Sequence, residues 1–191
     1  MTTPLAIVPA IATLFVLLFA SPPSSGTERP EDTWVTEELE GVGIIASVNG
    51  QVTHGDRYFV TPSGRDCAKG VTSFSFTTMI GGPDILKLHG HMIPALANGE
   101  KVLVRISGSE KFFIGRIVFM SMGIYPLDRL IERFKGAENL TIRLPDTDAF
   151  KASKYFDPRE NVWSLDGFPE ALAQAQALCR EERKDGPGEK A

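Results

Sequence analysis

From Gly43 onward the chain is written in short runs rich in β-branched and aromatic residues: GIIASV, RYFVT, VTSFSFTTMI, ILKLHGHMI, KVLVRIS and KFFIGRIVF. Between them stand NG, TPSG, GGPD, NGE and SGSE, the chemistry of turns. In VTSFSFTTM the residues Val71, Ser73, Ser75 and Thr77 alternate with Thr72, Phe74, Phe76 and Thr78, so the large apolar groups fall on one face. Val102, Val104 and Ile106 oppose Leu103, Arg105 and Ser107 in the same way. One-sided burial is the habit of antiparallel sheets, and the expectation is a mainly β chain forming an antiparallel β-sandwich or barrel-like domain. Asn49-Gly50, between IIASV and QVTHG, predicts a tight hairpin of type I′, and Ser107-Gly108-Ser109-Glu110 predicts a second turn between KVLVRI and KFFIGRIVF.

Two segments depart from this period. In PLDRLIERFKG, Leu127, Leu130, Ile131 and Phe134 recur at helical spacing, with Pro126 at the first turn and Gly136 after the last, which predicts a short helix near 126–135. In FPEALAQAQALCREER, Phe168, Leu172, Ala175 and Cys179 form one stripe and basic residues gather at the end, which predicts a C-terminal helix near 169–183. The expected core unites Phe74, Phe76, Val102, Val104, Leu140, Ile142, Trp163, Leu165 and Phe168.

At the other end of the chain, Leu5 to Ala20 are sixteen positions without a charge, followed by SPPSSG. Such a run has the length of an export signal's apolar core and is short for a relaxed bilayer span. The expectation is a signal peptide over 1–26, cut after Gly26 rather than after Ala20, with an uncleaved anchor or a buried helix as the alternatives. A flexible lead-in or edge strand would occupy 27–42, a single β-rich domain 43–183, and a disordered tail 184–191.

Net charge is −4, and every charged residue lies after position 27. Mild acidity without a basic stripe argues against a nucleic-acid partner, and membrane contact is expected only if the N-terminal segment stays uncleaved. The two cysteines, Cys67 and Cys179, are in an oxidising compartment most simply a disulfide fastening the last helix to the sheet; the alternative is a buried thiol at Cys179 and an exposed one at Cys67.

Few residues suggest chemistry. His89 and His91, two apart on an expected strand, could face one metal with Asp84 or His54, yet they lack a third ligand at a readable spacing. Asp56, Arg57 and Asp66, with Arg105 and Arg116 on neighbouring strands, could form an acid-base pair or an anion clamp, although surface ion pairing is the ordinary role of such residues. Asn139-Leu140-Thr141 matches a glycosylation sequon, but the alternation Leu140, Ile142, Leu144 reads as a strand. There is no GxSxG, HExxH, P-loop or GxGxxG, so no catalytic residues, metal or cofactor are assigned.

Trp163, Leu165, Gly167, Phe168, Ala171 and Leu172 together resemble the ending of the invasion-associated locus B family of exported bacterial proteins, where an aromatic-x-Leu-x-Gly-Phe strand leads into a helix. The resemblance implies a β-sandwich-like domain in the periplasm or at the cell surface, linked to host-associated growth, without established catalytic residues. The functional expectation is therefore an exported, non-enzymatic envelope protein acting through an unknown protein partner. The alternative is a small extracytoplasmic enzyme or metal-binding protein using His54, His89 and His91.

Overall fold

A computed structural model describes residues 33–185 except His54, Gly81 and Ile114. The expected signal peptide, its cleavage point and the last residues of the tail lie outside the described residues. The strands are β1 (Val35–Leu39), β2 (Gly43–Asn49), β3 (Arg57–Ser63), β4 (Lys69–Thr78), β5 (Met92–Ala97), β6 (Glu100–Phe112), β7 (Gly115–Pro126), β8 (Asn139–Arg143) and β9 (Glu160–Ser164). They form one nine-stranded sheet in the order β1-β2-β3-β4-β7-β6-β5-β8-β9, antiparallel at every pairing.

The sheet does not close into a barrel, because β1 and β9 remain at its two ends. It curls until those ends meet through side chains and loops, giving a sandwich-like body. The Trp34 indole N–H donates to the Ser164 carbonyl at 2.7 Å, and the Gln51 backbone N–H donates to the Val162 carbonyl at 2.8 Å. Inside the curl sit Phe74, Phe76, Val104, Leu140, Ile142, Trp163, Leu165 and Phe168, all buried, with Val102 packed at the margin. The Trp163 ring lies 6.0 Å from Tyr58, 6.0 Å from Phe74 and 6.1 Å from Phe76, so rings from β3, β4 and β9 meet in one aromatic centre.

Helix α1 (Leu127–Phe134) follows β7 directly, with Pro126 before it and Gly136 at φ +78° after it. Helix α2 (Phe168–Asp185) packs on β1, β2 and β3 through Phe168, Leu172, Ala175 and Cys179, the stripe anticipated from spacing. Gly167 adopts φ +78° at the bend from β9 into α2, a conformation that favours glycine. The bend allows the Phe168 ring to pack 4.7 Å from Trp34 and 5.5 Å from Phe134.

Cys67 and Cys179 are joined, with sulfurs 2.04 Å and Cα atoms 6.2 Å apart, across 112 positions of chain. Two hydrogen bonds flank the bond: Gln176 Nε2 donates to the Cys67 carbonyl at 2.9 Å and Arg180 Nε to the Asp66 carbonyl at 3.1 Å. A disulfide belongs to an oxidising compartment, which fits folding outside the cytoplasm. Among the described residues no helix is long and apolar enough to cross a membrane.

Several local expectations change. Asn49-Gly50 does not form the two-residue turn: Asn49 pairs with Arg57, and the loop between them is long. Gly50 is needed for a different reason, since a Cβ there would collide with the Asn161 side-chain amide. The I′-like turn is instead Asn98-Gly99, at φ +47° and +83°, between the paired Ala97 and Glu100. The segment Ser107–Glu110 is not a turn either; β6 runs through it with a bulge near Gly108, and the Ser107 hydroxyl donates to the Phe119 carbonyl. The reversal comes later, between the paired Phe112 and Gly115. ILKLHGHMI is no single strand: Gly82–Leu88 is a 3-10 helix, and β5 begins only at Met92. Of the lead-in, Val35–Leu39 is an edge strand, and Trp34 is buried.

Candidate functional site

The outer face of the sheet carries a trough that the alternation of β4 builds. Ser73 and Ser75 point outward from this central strand, and larger side chains stand on both sides: Phe59 opposite Ser73 on β3, and Phe119 opposite Ser75 on β7. Small residues flanked by aromatics leave a depression, and Gly108, paired with Phe119, extends it across β6. The resulting cleft measures about 620 Å³ and runs from Leu39 and Val42 to Ile117. Both serines are buried, so the expected one-sided burial of β4 fails: inner phenylalanines and outer serines are shielded alike.

One wall of the trough is polar. Glu37 Oε1 accepts from Arg57 Nη1 at 2.8 Å and from the Ser47 hydroxyl at 2.7 Å, which ties β1 to β2 and β3. Ser75 Oγ accepts from the Arg57 backbone N–H at 2.8 Å. The trough offers apolar surface, hydroxyls and one ion pair, the mix from which binding sites are made. Among the described residues no histidine side chain hydrogen-bonds to Ser73 or Ser75, and the Ser47 hydroxyl is the one held by a carboxylate, that of Glu37.

A buried polar clasp lies at the end of the trough where the β2–β3 loop meets β9. Asp56 Oδ1 accepts from the Thr77 backbone N–H at 2.6 Å, and its Oδ2 accepts from Asn161 Nδ2 at 3.1 Å. Asn161 Oδ1 in turn accepts from the Val52 backbone N–H at 3.0 Å and from its neighbour Val162 at 2.8 Å. Burial pushes the Asp56 carboxyl up to about 6, against the opposing pull of the Thr77 and Asn161 hydrogen bonds.

Inside the curl, Tyr58 is fully buried with its hydroxyl unpartnered among the described residues, beside a cavity of about 110 Å³ lined by Thr72, Tyr125, Leu130 and Arg133. Burial drives its phenol above the ordinary tyrosine range. At the cavity mouth Arg133 pairs with Glu100 at 2.5 Å.

The residues singled out by sequence are scattered. His89 ends the turn after the 3-10 helix, its Nε2 2.6 Å from the Ser107 carbonyl, and His91 precedes β5; both are exposed, and Gly90 at φ +82° between them breaks the strand geometry that would have aligned them. No group of three or more potential metal ligands gathers among the described residues, and His54 lies outside them. Asp56 and Arg57 are neighbours with separate partners, Asp66 caps the Ala68 backbone N–H near the disulfide, Arg105 is exposed, and Arg116 lies at the far end of β7. No anion clamp or acid-base pair unites them. Asn139 is exposed at the start of β8 while Leu140, Ile142 and Leu144 are buried. Sequence reasoning missed the trough and the Asn161 clasp; the only signal for the trough was the Ser-Phe-Ser-Phe alternation.

No family model matches this chain, and neither a characterised protein nor a solved structure shows significant similarity to it.

Proposed function

We propose that the protein is an exported, non-enzymatic envelope or surface-associated protein that works by holding a protein partner in the trough between Phe59 and Phe119. The trough carries this reading: an apolar depression with half-buried aromatics on both walls and hydroxyls on its floor suits a protruding side chain or extended segment of another protein. The disulfide, the uncharged N-terminal run and the resemblance of the Trp163–Leu172 segment to the invasion-associated locus B family support export and an envelope setting. Support of host-associated growth through that partner is the biological role this resemblance implies.

A photo-crosslinking residue placed at Val42 on the trough rim, with a control at Glu182 on α2, tests the reading in the native compartment. Adducts of one discrete protein mass from Val42 and none from Glu182 are expected. Equal labelling from both positions would refute it. The metal-binding alternative, built on His54, His89 and His91, requires stoichiometric metal in protein purified without chelators, lost when His89 and His91 become alanine.

A further inference from the structure

We propose that the tip of the β6–β7 hairpin inserts into an anionic lipid surface, with Phe112 and Phe113 entering the headgroup boundary and Lys111 and Arg116 meeting lipid phosphates. This goes beyond the trough reading and does not depend on it. It also needs no uncleaved N-terminal segment.

Three unfavourable features coincide at this tip. Phe113 is 83% exposed and Phe112 46%, with their rings 4.7 Å apart, so a pair of large apolar groups projects into solvent. Phe113 adopts φ +43°, a left-handed conformation that a non-glycine residue with a bulky side chain rarely takes. Directly behind the aromatics Lys111 pairs in register with Arg116, two like charges across adjacent strands, and neither makes an ion pair among the described residues. The tight reversal between the paired Phe112 and Gly115 calls for φ > 0 at Phe113, as at Asn98, but not for a phenylalanine there, nor for the exposed aromatic pair or the two like charges behind it.

A bilayer accounts for phenylalanine in place of a turn residue at the tip, for the exposed aromatic pair and for the two cations behind it. The surface at the tip is convex, so a rigid protein partner would need a matching pocket, whereas lipid does not. Strand rise of about 3.4 Å per residue places Lys111 two and Arg116 three residues from Phe113 along the chain, a depth comparable to the roughly 5–10 Å by which interfacial apolar groups enter the headgroup region. Exposed Met79, whose thioether lies against Gly115, and partly exposed Ile80 widen the apolar cap from the neighbouring turn. The adjacent carboxylate of Asp157 is held against the β4 end by the Thr78 hydroxyl and the Met79 and Ile80 backbone N–H groups, and its single charge offsets one of the two cations. Glu110, the remaining acid of the hairpin end, lies on the opposite face, paired in register with Ile117.

The test uses Phe113→Trp protein recovered from the envelope fraction. Both native tryptophans, Trp34 and Trp163, are buried, so a new emission change reports the tip. With vesicles of phosphatidylcholine and phosphatidylglycerol at 7:3, the emission of the introduced indole should move to shorter wavelength and be quenched by brominated acyl chains, and it should stay unchanged with phosphatidylcholine alone. Lys111→Glu/Arg116→Glu in the Phe113→Trp background should weaken this response about tenfold or more, since each cation near an anionic surface contributes appreciably to binding. An unmoved emission with anionic vesicles, or an undiminished response in the charge-reversed protein, overturns the proposal. So does a photo-crosslinker in place of Phe113 that yields a discrete protein adduct instead of lipid. Matching urea midpoints for Phe113→Trp, the charge-reversed protein and the parent exclude misfolding as the cause.

Discussion

Asp56 and Asn161, 105 residues apart in the chain, are both fully buried and share a hydrogen bond of 3.1 Å between Asn161 Nδ2 and Asp56 Oδ2. With Thr77 and Val52 they join the β2–β3 loop, β4 and β9, so the free end of the sheet is held to its opposite side by a small polar network instead of by a strand ladder. Every side-chain oxygen of the pair accepts a hydrogen bond, which is what allows such groups to be buried.

The pH dependence of stability follows from the same clasp. An Asp56 carboxyl raised from 3.8 to about 6 binds its proton more tightly in the folded state than in the unfolded state. Its contribution is therefore fully present below about pH 4 and is lost as pH rises through about 6, by about 3 kcal/mol at 1.36 kcal/mol per unit. Asp56→Asn cannot ionise. The difference in unfolding free energy between this variant and the parent should move by about 2 kcal/mol in favour of the variant from pH 4 to pH 7, measured by urea denaturation. Parallel curves would contradict the assignment.

Gly50→Ala should destabilise the fold by about 1 to 3 kcal/mol, the usual range for overpacking, because its Cβ would displace the Asn161 amide. The loss should be smaller in an Asn161→Ala background, where the collision disappears. A double-mutant cycle of urea midpoints measures this coupling.

Breaking the covalent link isolates the hold on α2. The loop closed by Cys67 and Cys179 spans 112 positions, and the chain-entropy account gives about 4.7 kcal/mol for a loop near that length. Cys67→Ala/Cys179→Ala should lose up to that amount, and added reductant should lower the parent's midpoint while leaving the double variant unchanged.

How far these features could be read in sequence depends on the range of the interactions behind them. The helices were legible because their determinants are local: Pro126 and Gly136 bracket α1, and Phe168, Leu172, Ala175 and Cys179 lie on one stripe of α2. The β-rich class was equally legible from alternation. Turns were not, as the two Asn-Gly pairs demonstrate. Asn98-Gly99 makes the tight turn, whereas the identical dipeptide at 49–50 is claimed by Asn161 from the far end of the chain. The trough was hidden for a related reason: Ser73 and Ser75 resemble solvent-facing residues until Phe59 and Phe119 are placed on either side by strand order.

The aromatic junction at Phe168 and the two exposed histidines should differ sharply in their weight in the fold. Phe168 is 1% exposed and meets Trp34 and Phe134 at the joint where β9, α1 and α2 converge. Phe168→Ala should destabilise the fold by about 3 to 5 kcal/mol, the range for emptying a large aromatic site. His89 and His91 are exposed, and the contact of His89 is with a backbone carbonyl at the surface, so replacing both by alanine should change stability by about 0.5 kcal/mol or less. Urea midpoints that put the histidine variant below Phe168→Ala would mean that the two histidines hold something the apolar core does not, and would shift the search for function from the trough to the turn before β5.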